Sequence, residues 1–235
     1  MSWAYYPQTF EEVMTDTFGG GFYLILDAAG PQTTVGIGRG DKWCARESSS
    51  GPTMEDLQDL LSNALQSAGI SLKELKGSLY AEGPGSTLGL RLGAMFLNVW
   101  RALDSNGGWF CYAYNNLVLT AQSVALSAPE NSFSLYAPWK KGCFHHVQYQ
   151  PTSPTKLNLE VFHGAFMESD SPYFVQLGPQ KSTAPANTQW VSYPVHQIPR
   201  LTRSHPHLFR KVTSCIPYTP TPPEFAKWER QRHRP

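Results

Sequence analysis

Apolar positions in this chain fall into short blocks, and their period changes from block to block. Phe22-Tyr23-Leu24-Ile25-Leu26 is an unbroken apolar run, which suits a strand buried on both faces. Thr33 to Arg39 alternates as a second strand, Gly40-Asp41 makes a turn, and Lys42 to Ser48 predicts a third strand. Met54 to Ala68 then switches to a helical period, with Met54, Leu57, Leu60, Leu61, Ala64, Leu65 and Ala68 on one face. Thr53 is placed to cap this helix, Glu55 and Asp56 suit the positive end of its dipole, and Gly69 stops it. Ile70 to Glu74 leads into a strand around Gly77 to Ala81.

Glu82 to Leu103 is the least ordinary stretch. Gly83-Pro84-Gly85-Ser86 is a tight turn that runs into a helix, Leu90 to Leu103, whose strongly polar residues are Arg91, Asn98 and Arg101. Leu92, Met95, Phe96, Val99 and Leu103 form one stripe; Leu90, Gly93, Ala94, Leu97 and Trp100 form a second. A helix apolar nearly all round is covered on both sides, so it is central in the domain or turns one face to a partner. It is too short and too charged to span a membrane. The glycine turn has two readings: backbone N–H groups at a helix N-terminus attract an anion, or glycine is needed for loop shape alone. No Lys follows, as it would in a phosphate-binding P-loop.

Further on, Trp109 to Tyr114 predicts a strand and Asn115 to Leu126 a helix capped by Asn115 or Asn116. The second half changes character. Phe133 to Tyr136 and Cys143 to Gln150 predict paired strands, and Leu157 to Phe162 and Tyr173 to Leu177 two more. Between Pro179 and Pro223, Pro, Ser, Thr and Gln dominate with no helical period, predicting short strands and long loops. At the other end, Thr9-Phe10-Glu11-Glu12 reads as a capping box for a short helix around Phe10 to Thr17, with Gly19-Gly20-Gly21 as a hinge.

Composition narrows the function classes. The 235 residues are 41% hydrophobic and 16% charged, enough for a sizeable core, and the net charge of +1 provides no global field toward nucleic acid or membrane. Met1 to Gly21 has no secretory signal pattern. Cys44, Cys111, Cys143 and Cys215 are far apart without a CxxC pair, which predicts reduced thiols and a cytoplasmic setting, with Cys111 buried in its strand.

Candidate chemistry is sparse. Among His145, His146, His163, His196, His205, His207 and His233, no two stand four apart, so no helical metal-ligand pair is expected. His145 and His146 are adjacent on a strand and point to opposite faces. There is no G-x-S-x-G, and Ser86 lies at a helix start. Lys140-Lys141 and the stretch Arg200 to Arg210 are modest basic clusters, read as solvated surface rather than as a contact to nucleic-acid phosphates.

Three features coincide: Leu24-Ile25-Leu26-Asp27 before a hairpin, the run Gly69-Ile70-Ser71-Leu72-Lys73-Glu74-Leu75, and Gly83-Pro84-Gly85-Ser86-Thr87-Leu88-Gly89-Leu90-Arg91-Leu92-Gly93. Together they resemble the TsaB (YeaZ) family of tRNA threonylcarbamoyladenosine biosynthesis proteins, long filed with the M22 glycoproteases. That family's signature reads GPGSFTGLRIG; here Thr87-Leu88 replace Phe-Thr. The likeness runs from Phe22 to about Leu126. Pro217-Tyr218 through Trp228 is similar to the family's C-terminal tail without its Arg, and its aromatic residues predict a tail lying along the surface.

The resemblance implies an α/β fold of the ASKHA type (actin–Hsp70–sugar kinase, ribonuclease H-like) with two lobes, the second reduced and helix-poor. The expected division is an extension over 1–21, a first lobe over 22–127, and a second lobe with its tail over 128–235. It implies no catalytic residue in this chain, but a scaffolding role for a TsaD-type transferase that threonylcarbamoylates adenosine 37 of tRNA. A TsaE-type ATPase joins the complex, and tRNA is met only through it. The partner-binding residues so implied are Met54, Leu57, Leu61, Leu90, Gly93, Leu97 and Trp100, on a helix pair that packs on the transferase or on a second copy in a homodimer. The first stripe, Leu92, Met95, Phe96, Val99 and Leu103, is then expected on the chain's own sheet. In active relatives the position of Asp27 serves Mg²⁺ and phosphate, so Asp27, Gly83, Gly85 and Ser86 are the remnant of a nucleotide pocket, or Asp27 simply turns the hairpin. No cofactor or metal is expected on this chain; ATP and Mg²⁺ belong to the complex. The alternatives from other classes are a stand-alone M22-like peptidase and a nucleotide-binding, sugar-kinase-like enzyme.

Overall fold

The computed structural model describes residues 20–104, 108–140, 142–163, 173–177 and 188–219. The expected helix at Phe10 to Thr17 and the tail beyond residue 219 lie outside the described residues.

A six-stranded sheet forms first. Its strands are β1 (Phe22–Asp27), β2 (Thr33–Arg39), β3 (Lys42–Ser49), β4 (Leu75–Gly83), β5 (Phe110–Asn115) and β11 (Phe209–Val212), in the order β11-β5-β4-β1-β2-β3. The two predicted hairpins give the antiparallel pairs β1–β2 and β2–β3, while β4 and β5 are added parallel to β1. Helices α1 (Thr53–Ala68) and α2 (Thr87–Leu103) make those parallel crossovers. The unbroken apolar run of β1 follows from this central position. Leu24 and Leu26 pack with Val35, Ile37 and the α1 residues Leu57, Leu60 and Leu61. Tyr23 and Ile25 face the other way, toward Leu79, Tyr112 and Ile198.

The second sheet has β6 (Phe133–Lys140), β7 (Cys143–Tyr149), β8 (Leu159–His163), β9 (Tyr173–Val175) and β10 (Gln189–Val191), in the order β10-β9-β6-β7-β8. Helix α3 (Asn116–Ser127) is the hinge of the architecture, because it is covered on both sides. Leu117, Ala121 and Ala125 join the core of the second sheet, and Leu119 joins that of the first. This mixed α/β fold with two sheets, the second poor in helices, is the class the resemblance implied.

Local chemistry explains most element ends. Gly69 ends α1 in the left-handed region at φ 67°, and the Asn115 Oδ1 accepts the N–H groups of Leu117 and Val118, both at 3.1 Å, to start α3. Thr53 does not cap α1. It is the first helical residue, Pro52 precedes it, and its Oγ1 lies 2.8 Å from that of Thr33 on β2 instead. Within the stretch expected to hold short strands and long loops, β11 is such a short strand and returns to the first sheet beside β5, whereas the helix α4 (Ile198–Ser204), with Pro199 in its first turn, was not expected.

Candidate functional site

The glycine turn and α2 are held by close approach. A Cβ on Gly85 would stand 2.3 Å from the Ala29 carbonyl oxygen, one on Gly89 2.3 Å from that of Ala28, and one on Gly93 2.6 Å from Leu26 Cδ2. These glycines recur every fourth residue, so Gly89 and Gly93 form one strip of α2 that Gly85 continues in the turn before it, and that line lies on the end of β1 and the loop after it. Ser86 fixes the helix start: its N–H donates to the Ala29 carbonyl at 3.0 Å, and its Oγ accepts from the Gly89 N–H at 3.3 Å. Gly83 alone in this loop needs a positive φ, at 121°.

This packing reverses the expected orientation of α2. Leu90, Gly93, Ala94 and Leu97 are buried against the chain's own sheet. Met95, Val99 and Leu103, expected there, are 64, 56 and 67% exposed, and Leu88 is 68% exposed. Leu92, Phe96 and Trp100 are half-buried at the border, with the Phe96 and Trp100 rings edge to face at 6.1 Å. The physical reason is that the small residues let the helix backbone approach the strand closely, so they take the inner face and push the bulky stripe outward. Of the residues expected to meet a partner, Leu57, Leu61, Leu90, Gly93 and Leu97 are therefore core, Trp100 is half-buried, and Met54 is 76% exposed on the neighbouring α1. The sequence signal for this was present in the four-residue glycine spacing.

Asp27 ends β1 and is 1% exposed. Its Oδ1 accepts from the Ala29 N–H at 3.0 Å, and its Oδ2 accepts from the Tyr114 hydroxyl at 2.6 Å and from the Tyr193 hydroxyl. Asn116 continues the network, donating Nδ2 to the Tyr193 hydroxyl at 2.7 Å and accepting from the Gly83 N–H at 3.2 Å. Burial pushes the Asp27 carboxyl above the usual carboxylate range, against these hydrogen bonds. The two phenols are pushed up by burial and by the Asp27 charge, so both stay protonated donors. The structure thus brings Asp27, Gly83, Gly85 and Ser86 together around the head of α2, with the carboxylate occupied by the chain's own hydroxyls.

Tyr114 and Tyr193 escaped the sequence reading, since neither stands near Asp27 in the chain. Tyr193 also lines a cavity of about 640 Å³ with Gly30, Gln32, Thr34, Arg46 and Trp190. Glu82, buried at the end of β4, meets Arg210 of β11 at 2.8 Å, and Arg203 is paired with Asp41 at 3.5 Å, which accounts for part of the basic cluster after Arg200. Burial raises the Glu82 carboxyl and Arg210 opposes it. Lys141 lies outside the described residues.

His145 is buried, its ring 5.4 Å from Trp139 and 5.8 Å from Tyr218, and burial lowers its pKa to about 4. His146 stacks on Tyr136 at 4.6 Å on the other face. Among the described residues no cluster of three or more His, Cys, Asp or Glu could hold a metal, and no helix is long and apolar enough to cross a membrane.

Residues 48–101, which carry α1, β4 and most of α2, match the family model of TsaD, tRNA N6-adenosine threonylcarbamoyltransferase. No curated protein matches the chain in sequence. Among solved structures it is similar to YeaZ from Pseudomonas aeruginosa, at 13% identity over 85% of this chain and 99% of that one, with a TM-score of 0.58. It is equally similar to an uncharacterized protein with similarity to peptidase YEAZ from Pseudomonas aeruginosa, at 12% identity, 86% and 100% coverage and a TM-score of 0.59. These two likenesses show the fold, and the TsaD match falls on the helix pair that carries the glycine motif.

Proposed function

We propose that this chain serves tRNA threonylcarbamoylation as the non-catalytic partner of a TsaD-type transferase, in a cytoplasmic complex that includes a TsaE-type ATPase. The observation that carries the reading is the exposed apolar stripe Leu88, Met95, Val99 and Leu103 on α2. It lies largely within the segment that matches the TsaD family. A contiguous apolar helix face left in water is costly, and such faces mark association surfaces. Helix-on-helix packing along α2 is the geometry that would bury it. The buried, self-satisfied Asp27 supports a supporting rather than a catalytic role, because its oxygens already accept three hydrogen bonds from the chain itself.

The test is reconstitution. The chain should co-elute with a TsaD-type transferase from the same organism and raise that enzyme's modification of tRNA, while neither hydrolysing ATP at a useful rate nor modifying tRNA alone. Separate elution at micromolar concentration, or turnover by the pure chain that Asp27→Ala abolishes, overturns it. Self-association through the same stripe would appear as a homodimer that the transferase does not displace, and that outcome also counts against the proposed partnership.

A further inference from the structure

The segment that follows β11, residues 213–219, crosses back over the first sheet as a strap. Asn98 of α2 holds Cys215 on both sides, donating Nδ2 to its carbonyl and accepting its N–H, each at 2.9 Å. Tyr80 of β4 does the same for Ile216, donating its hydroxyl to the carbonyl at 3.1 Å and accepting the N–H at 2.9 Å. The Tyr218 N–H donates to the Glu82 carbonyl at 2.7 Å. This strap brings the Cys215 Sγ to 2.8 Å from the Sγ of Cys111 on β5, 104 positions earlier in the chain.

The surroundings of the two sulfurs are unequal. The Ser78 hydroxyl donates to the Cys111 Sγ at 3.3 Å, and the Trp109 Nε1–H donates to the Ser78 Oγ at 3.2 Å, which orients that hydroxyl. Cys111 thus accepts a hydrogen bond from Ser78 that Cys215 lacks, and with Cys215 as the donor of the thiol–thiol contact both bonds favour the Cys111 thiolate. The contact with Cys215 holds the Cys111 thiol below the usual cysteine range, and the same contact pushes the Cys215 thiol up. Neither thiol contributes to the Asp27 network or to the α2 stripe. The sulfurs need to close by less than 1 Å to reach the bonded distance of about 2.05 Å.

We propose that Cys111 and Cys215 are a reversible dithiol–disulfide pair oxidised by hydrogen peroxide, with Cys111 the attacking thiolate and Cys215 the resolving thiol. The Cys111 sulfur attacks one peroxide oxygen, the O–O bond breaks, and the leaving hydroxide takes a proton to become water, leaving a sulfenic acid on Cys111. The Cys215 sulfur then attacks the Cys111 sulfur, the S–O bond breaks, and the hydroxide leaves as water with the Cys215 proton. Two thiols and one peroxide thus give one disulfide and two waters. Ile216, next to Cys215, is 65% exposed, so the pair lies one residue beneath the surface and a small oxidant reaches it through local opening of the strap. The bond would tie the strap, and Asn98 of α2 through it, to β5.

The experiment is peptide mapping of the folded chain after hydrogen peroxide, with free thiols alkylated under non-reducing conditions. The expected result is a Cys111–Cys215 linked peptide that has lost two hydrogens, with Cys143 still alkylated and the link removed by dithiothreitol. Amide exchange at Cys215 and Ile216 should slow in the oxidised form. Cys111→Ser and Cys215→Ser should each abolish the link, and Cys44→Ser should leave it intact. The wild-type map decides by itself where a serine variant does not fold. Oxidation of the exposed Cys44 with Cys111 and Cys215 still alkylated overturns the proposal. So does recovery of Cys111 as a sulfinic acid, or a link that forms only in denaturant.

Discussion

Tyr193 donates its hydroxyl to the carboxylate of Asp27 from 166 positions further along the chain. That contact joins the segment after β10 to the end of β1, and Asn116 at the head of α3 completes the bridge. A buried carboxylate with raised affinity for protons holds its charge only as well as its donors allow. Removing one donor leaves the charge under-solvated and also strands the Asn116 amide. Tyr193→Phe should therefore cost about 1–3 kcal/mol of stability. Urea denaturation of the pure chain measures it, and a stability equal to wild type would show that the Tyr193 contact contributes nothing.

The glycine motif makes a different prediction. Gly89 faces the Ala28 carbonyl, a backbone atom that cannot swing away as a side-chain tip can. A methyl there must lift the start of α2 off β1, so Gly89→Ala should destabilise the fold by about 1–3 kcal/mol despite the better helix propensity of alanine. Gly69→Ala should also destabilise, for another reason: the space beside Gly69 is open, but its φ of 67° is strained for alanine. Thermal unfolding of both variants checks this, and a Gly89→Ala chain as stable as wild type would mean that α2 does not lie as closely on β1 as described.

These two cases show what could and could not be read from the chain. β1, β2, β3, α1 with its Gly69 stop, and α3 with its Asn115 cap were legible because each is written in a local period and a local cap. The orientation of α2 was not, because bulky apolar residues ordinarily mark the inner face of a helix. Here Gly85, Gly89 and Gly93 mark it, and their lack of side chains is what permits the contact. Tyr193 was invisible as a partner of Asp27, since nothing local links them. The short α4 and β11 were hidden in a Pro-, Ser- and Thr-rich stretch, and of the four β11 residues only Phe209 is buried, too little to register as a strand pattern.

His145 predicts a pH dependence. Its pKa falls from 6.5 to about 4 in the folded chain because burial disfavours the imidazolium. The unfolded chain therefore binds more protons between those values, and stability falls as pH is lowered through that window. The contribution is fully present above pH 6.5 and is lost progressively toward pH 4, on the order of 3 kcal/mol in all. His146, His205 and His207 shift in the same direction, while the raised carboxyls of Asp27 and Glu82 act in the opposite one, so a variant is needed to isolate the share of His145. His145→Phe keeps a ring between Trp139 and Tyr218 and removes the titrating group. Its stability should fall less steeply than that of wild type between pH 6.5 and pH 4; parallel curves would refute the assignment.

The outward stripe of α2 can be separated from the inward one by charge and by truncation. Met95 and Val99 are more than half exposed, so Met95→Asp and Val99→Asp should change folding stability by no more than about 0.5 kcal/mol. If the stripe meets the transferase, the same changes bury an unpaired carboxylate in an apolar interface. Each should then weaken association by at least about 2 kcal/mol, roughly thirtyfold. Leu97 supplies the opposite control. It is 1% exposed within the core of the first sheet, so Leu97→Ala should cost about 2–5 kcal/mol of folding stability while the folded fraction still binds. Calorimetric titration against the transferase, paired with thermal unfolding of each variant, reads both quantities. Aspartate variants that bind like wild type would remove this face from the interface, whatever else the chain binds.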